Sequence, residues 1–270
     1  MDYYKSLITK YRYKIYSPFL NAIKDYDLIS ENDKIMVCIS GGKDSFVMAV
    51  CFIQLMKHND IPVELKFVVM NPGYSNEQID EIKRNAEILN IPITVFNTDI
   101  FEISAKDEDK RCYLCAKMRR GALYNYAESL GYNKIALGHH FNDVNETLLL
   151  SILYSGEVAG MRPMVESLNH KGMKLIRPMY YVKEDDIINF EKDNNLKFLK
   201  SGCFITGNNS LCQQSKRQVV KKLIKELDGD KEYVSKNIFN SNDNVNLSKL
   251  NSYKIDGVKH NLIKKNNRED

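Results

Sequence analysis

Six consecutive residues, Ser40-Gly41-Gly42-Lys43-Asp44-Ser45, put two hydroxyls, two glycines, a cation and a carboxylate side by side. A short apolar run from Ile35 to Ile39 precedes them, and a helical pattern through Phe46, Val47, Val50 and Cys51 follows. Strand, tight turn and helix start gather unpaired backbone N–H groups around one small volume. The helix dipole adds partial positive charge, so that volume suits phosphate. Gly41 and Gly42 permit backbone torsions and close approach that side chains would block. Ser40 and Ser45 can donate hydrogen bonds, and Lys43 supplies a mobile cation. Asp44 would be repelled by phosphate unless a metal lies between them, a bridge that Mg²⁺ makes well.

A second group is Cys112-Tyr113-Leu114-Cys115, two thiols one helical turn apart. That spacing suits one metal centre, but alone it is shared by zinc sites, iron–sulfur sites, redox dithiols and buried thiol pairs. Cys203 and Cys212 follow much later. Three cysteines without a fourth would leave one metal position open for chemistry. Cys38 and Cys51 read as buried apolar residues. A third group is Gly138-His139-His140 with Asp143 and Glu146. Adjacent histidines on a strand end point in opposite directions, so one is expected to line the site and the other to pack. Asp143 and Glu146 share a helix face, with Asp143 placed as an N-cap, as a group facing nucleotide and Mg²⁺, or as both.

Such groups need elements to position them. Strands are expected at Ile35–Ile39, Val63–Met70, Ile93–Asn97, Lys134–Leu137 and Lys174–Ile176. Helices are expected after the loop, over 75–89 with Ser75 and Gln78 as a capping box, over 113–130 ending at Gly131, over 143–154, and over 183–194. Residues 4–28 carry an amphipathic helical spacing. The alternation predicts an α/β fold, a parallel sheet with helices on both faces. Ligands bind such sheets at the carboxyl ends of strands, where Ser40, Met70, Asn71 and Gly138 stand. The expected organisation is a helical segment 1–29, a catalytic domain 30–228 and a weakly structured Asn/Lys-rich tail 229–270. With 270 residues, 43% of them hydrophobic, the chain can bury a full core. A net charge of +4 permits a nucleic-acid partner without demanding one. No apolar run reaches the roughly 20 residues of a membrane span, and the N-terminus lacks signal-peptide features. The cytoplasm is the expected compartment.

Ser40 to Ser45 lacks the Gly-x4-Gly-Lys spacing of a Walker A loop and resembles the PP-loop of the ATP pyrophosphatases, which cleave ATP to AMP and pyrophosphate. Cys112-x-x-Cys115 with Lys117, Arg119, Arg120 and Tyr124, the run Gly138-His139-His140-x-x-Asp143-x-x-Glu146, and Ile176-Arg177-Pro178 are similar to the tRNA 2-thiocytidine synthetase branch of that superfamily. The resemblance covers residues 30–222. It implies an adenine nucleotide alpha hydrolase-like fold, ATP and Mg²⁺ as cofactors, and tRNA as substrate. Lys43, Asp44 and Asp143 would be catalytic. Ser40, Gly41, Gly42, Lys43, Asp44, Ser45, Met70 and Gly138 would bind ATP, with Asp44 toward Mg²⁺. A [4Fe-4S] cluster would be held by Cys112, Cys115 and Cys203, with Cys212 a rival for the third place. Two departures stand out: the second late cysteine comes nine residues after Cys203, and Asn142 replaces the first acid of the usual His-His-x-Asp-Asp. Lys117, Arg119, Arg120 and Arg217 would meet RNA phosphate. A sulfur donor such as a cysteine desulfurase is implied, and the family is often dimeric. Two other readings compete. One is a uridine thiolase using zinc or a persulfide. The other is a non-catalytic RNA-binding or iron–sulfur sensor protein, against which intact Lys43, Asp44 and Asp143 argue.

Overall fold

The computed structural model describes residues 3–58, 62–106, 111–200, 215–231 and 233–263. The chain divides into two compact units between Leu223 and Ile224. The first opens with α1 (Tyr3–Ile8), a π-turn (Arg12–Tyr16) and α2 (Ser17–Asp25). The single helix expected over 4–28 is therefore interrupted, and Pro18 stands in the first turn of α2, where it cannot donate to a preceding turn. This segment is part of the core: Leu7, Ile15 and Phe19 are fully buried, and Phe19 meets Phe52 edge-on at 5.3 Å.

The alternating elements follow: β1 (Lys34–Ile39), α3 (Lys43–His58), β2 (Glu64–Asn71), α4 (Asn76–Ile88), β3 (Ile93–Asn97), α5 (Ile100–Ala105) and α6 (Arg111–Ser129). Then come β4 (Lys134–Ala136), α7 (Phe141–Ser155), β5 (Met164–Glu166), β6 (Lys174–Ile176) and α8 (Glu184–Asp193). Ser75 and Gln78 form the expected capping box on α4, and Gly131 takes a left-handed φ of 73° after α6. The six strands order as β3-β2-β1-β4-β6-β5, parallel except for β5, which pairs antiparallel with β6. Only β5 was absent from the sequence expectation. It is three residues long and follows no hydrophobic alternation.

From Ile35 onward β1 is wholly buried, and α3 is buried on nearly every face from Phe46 to Phe52. A helix apolar all round belongs inside a fold, so β1 and α3 form the rigid spine on which the intervening loop stands. At the opposite end of β1 and β4, Lys134 Nζ lies 2.5 Å from Asp33 and donates to Leu28 O at 3.0 Å, while Asn133 also binds Asp33. This buried polar knot fixes the entry of both strands, which suits a role in setting register. The strand order reverses between β1 and β4, so a crevice opens outside their carboxyl ends.

The helix α9 (Lys216–Asp228) begins in the first unit. Residues 233–263 carry α10 (Tyr233–Asn240), a 3-10 turn (Leu247–Lys249) and an antiparallel pair, β7 (Ser252–Ile255) and β8 (Val258–Asn261). Most of these residues are exposed, which is why a thin hydrophobic composition did not mark them. Among the described residues, no helix is long and apolar enough to cross a membrane.

Candidate functional site

The loop between β1 and α3 is braced from within. Gly41 holds φ at 91°, and a Cβ there would meet the Ile82 side chain at 2.8 Å. Its carbonyl accepts from Leu199 N at 3.1 Å. Ser45 Oγ accepts from Ser40 N at 3.1 Å and donates to Gly42 O at 2.8 Å. Buried Ser45 thus shapes the turn, while Ser40 stays exposed at its rim. Gly138, at the end of β4, is needed for backbone approach: a Cβ would lie 3.1 Å from the Asp44 carbonyl and Ser45 Cα.

Charge gathers beside this loop. Lys43 Nζ lies 3.1 Å from Asp44 and 3.1 Å from Glu184 at the start of α8. Burial works against the Lys43 charge, but Asp44 and Glu184 outweigh it and hold the ammonium above its ordinary value. Glu184 takes Lys221 of α9 on its second oxygen. Its backbone N–H donates to Asn142 Oδ1 at 3.0 Å. The amide that departs from the usual acid therefore tethers α8 to α7.

His140 caps α7: its N–H donates to Asp143 Oδ2 at 3.1 Å, and its Nδ1 accepts from Asp143 N at 3.4 Å. The N-cap role considered for Asp143 belongs to His140, because Asp143 is the third residue of the helix. Buried His140 also reaches toward Asp44, with Nε2 at 3.7 Å. Burial pushes Asp143 upward, yet His140, His139 and Arg217 hold it below the usual carboxylate range. Burial raises Glu146, with Arg217 opposing at 3.3 Å.

A cleft of about 390 Å³ lies at the switch point. The loop contributes Ser40, Asp44 and Ser45 to it, the strand ends contribute Met70, Gly138 and His139, and Asp143 closes one side. Three strands and two helix starts thus meet around one volume whose charged lining is the carboxylates of Asp44 and Asp143 and the guanidinium groups of Arg119 and Arg120, with Lys43 beside it on the loop. A PP-loop domain model matches residues 11–204. A tRNA-cytidine(32) 2-sulfurtransferase of Francisella philomiragia is 36% identical, covering 90% of this chain and 94% of that protein. Another, from an Anaeromyxobacter species, is 31% identical over 97% and 84% of the two chains. The chain belongs to the tRNA-cytidine 2-sulfurtransferase family of PP-loop enzymes. A solved U34-tRNA thiolase from Methanococcus maripaludis, with its [4Fe-4S] cluster, has the same fold: TM-score 0.66, 21% identity, 84% of this chain and 77% of that one.

In this tRNA sulfurtransferase, α6 supplies the wall of the cleft facing the loop, through Ala116, Arg119, Arg120 and Leu123. Cys112 and Cys115 occupy the helix turns just before that wall, and Cys115 is half-buried. Cys203 and Cys212 lie outside the described residues. Among the described residues, no group of three or more His, Cys, Asp or Glu could hold a metal ion. Of the expected RNA contacts, Lys117 is exposed, and Arg119 and Arg120 line the cleft. Arg217 instead meets Asp143 at 3.5 Å and Glu146 at 3.3 Å. Glu184 and Lys221 were missed as site residues. Glu184 hides in the acidic run 184–186, which reads as an ordinary helix start, and Lys221 sits in a lysine-rich helix.

His139 fulfils the expectation that one histidine lines the site. Its Nδ1 is buried without a hydrogen-bond partner, and burial pushes its pKa down to about 4. Between pH 4 and 6.5 the unfolded chain binds a proton that the folded one does not, so stability rises with pH across that window. Acidification from pH 7.5 to 5 is expected to cost the wild type about 2 kcal/mol more than His139→Gln. Urea melts at both pH values measure this, and equal losses would show that the ring titrates normally.

Proposed function

We propose that the chain activates C2 of cytidine 32 in tRNA with ATP and then replaces the activated oxygen by sulfur. The observation that carries this reading is convergence on one cleft. The loop Ser40–Ser45, Asp143, and the helix opened by Cys112 and Cys115 come from separate stretches and share it.

The pyrimidine carbonyl oxygen would attack the α-phosphorus of ATP, breaking the bond to the β-phosphate oxygen and releasing pyrophosphate. The adenylated oxygen then leaves as AMP when sulfur adds to C2. Backbone amides of the loop and the Lys43 ammonium would neutralise charge that grows on the phosphates. Asp44 suits Mg²⁺, since its Oδ1 is buried and makes no hydrogen bond although Lys43 Nζ stands 3.1 Å away. Asp143, kept ionised, would face nucleotide and cation. Arg119 and Arg120 would steer RNA phosphate toward the cleft, so that an unstacked base could enter. Two cysteines one turn apart on the helix that lines the cleft would suit a [4Fe-4S] cluster, with Cys203 as the third ligand and Cys212 its rival. Bound there, such a cluster supplies iron-held sulfide as the nucleophile. Residues 30–228 would form the catalytic domain, with 1–29 packed on it and 229–270 outside the chemistry. A cysteine desulfurase would fit as sulfur source.

The test uses anaerobically purified protein, Mg²⁺, ATP and a tRNA transcript. AMP release that depends on RNA, and 2-thiocytidine at position 32 in nuclease digests, are expected. A thiouridine, or AMP release without any thionucleoside, would overturn the substrate assignment.

A further inference from the structure

The acids beside the loop draw most of their counter-charge from one helix. Arg217 and Lys221 stand four residues apart on α9 and so share a face. Arg217 lies 3.5 Å from Asp143 and 3.3 Å from Glu146, and it donates to Thr147 Oγ1 at 3.3 Å. Lys221 pairs with one oxygen of Glu184, whose other oxygen holds Lys43 at 3.1 Å. The connected cluster holds the carboxylates of Asp44, Asp143, Glu146 and Glu184 against Lys43, Arg217 and Lys221. His140 faces both Asp44 and Asp143. The carboxylates have side chains 6–29% exposed, which places them in a setting where charges are poorly screened.

Remove the two α9 cations and these four carboxylates keep only Lys43 and the imidazole of His140 from the cluster as counter-charge. Polyphosphate would then meet more uncompensated negative charge on this side of the cleft, across from Arg119 and Arg120. The positions expected from sequence to touch RNA include Arg217, yet its contacts run inward to acids of the cleft.

We propose that Arg217 and Lys221 are positioning residues of the ATP site, acting through Asp143, Glu146 and Glu184, so that nucleotide binding requires α9 to be docked. This rests on the ATP reading given above. It also joins the two halves of the chemistry. The helix starts directly after residues 201–214, which carry Cys203 and Cys212. Any ligand of those cysteines that favours docked α9 strengthens nucleotide binding, and nucleotide favours that ligand by the same factor.

The experiment titrates the full chain, without any cluster, with adenylyl imidodiphosphate and Mg²⁺ by calorimetry, and with tRNA by filter binding. Arg217→Met and Lys221→Met are each expected to weaken nucleotide binding about tenfold. Lys222→Met removes a charge from the exposed side of the same helix and is expected to stay within about twofold. Adding Glu184→Gln to Lys221→Met removes the stranded carboxylate and should recover part of the loss. That pair also carries the test if Lys221→Met alone does not fold. Equal losses in Lys222→Met would overturn the proposal. So would wild-type nucleotide affinity in the Met variants combined with weaker, less salt-dependent tRNA binding, the signature of RNA contacts. If the wild type itself binds no nucleotide, the ATP reading falls first and this one with it.

Discussion

Lys43→Met is expected to lower RNA-dependent AMP formation by about a hundred- to a thousandfold, the usual cost of one preorganised charge at a phosphoryl-transfer site. The side chain has no substitute in place. Its neighbours on the loop are Gly42 and the acidic Asp44, and the other cations of the cluster, Arg217 and Lys221, are engaged by Asp143, Glu146 and Glu184. Losing Lys43 also takes the lysine from Asp44 and leaves Glu184 with Lys221 alone, so uncompensated negative charge repels an incoming phosphate in the ground state. Nucleotide affinity should therefore fall along with turnover, whereas loss of a purely transition-state contact would lower turnover alone. Single-turnover measurement of AMP release, with calorimetric affinities alongside, separates the two. Turnover within tenfold of wild type would mean that Lys43 is a structural counter-ion of Glu184 and no more.

The sequence exposes much of this architecture because it rests on local signals. The run Ile35–Ile39, two glycines and an apolar helix define the loop; Ser75 with Gln78 defines a cap; Ile93–Asn97 is β3 to the residue. What it hides is what depends on the fold closing. Glu184 is one of three acids in a row, and only the packing of α8 near α3 brings it to Lys43. Arg217 looks like a surface charge until its side chain is seen to reach Asp143, Glu146 and Thr147 of α7. The cap of α7 is His140, a residue type outside the usual capping set, so Asp143 takes the role on paper and loses it in three dimensions. The short antiparallel β5 and the largely exposed hairpin β7–β8 carry little hydrophobic patterning, and periodicity is blind to such elements.

Cys115→Ala is expected to abolish thiolation while leaving nucleotide affinity within about twofold, because sulfur handling and phosphate handling stand on different elements. In the proposed reading phosphate groups belong to the β1 and β4 ends, whereas Cys115 stands on α6, one residue before Ala116 at the wall of the cleft. Cys38 supplies the contrast. It lines the cleft, but burial pushes its thiol up to about 12, so on its own it stays protonated and is expected to be a packing residue. Cys38→Ala should cost about 1 kcal/mol of packing and keep thiolation. Among the late cysteines, Cys203→Ala is expected to lose iron and thionucleoside together, and Cys212→Ala to keep both. Iron and acid-labile sulfide after anaerobic purification, thionucleoside by mass spectrometry and nucleotide affinity give the three readouts. Thiolation surviving in Cys115→Ala would remove α6 from the sulfur step. Thiolation lost with equimolar iron and sulfide retained would keep Cys115 in the chemistry but take the cluster out of its hands, which is the persulfide route on the same ATP-activating fold.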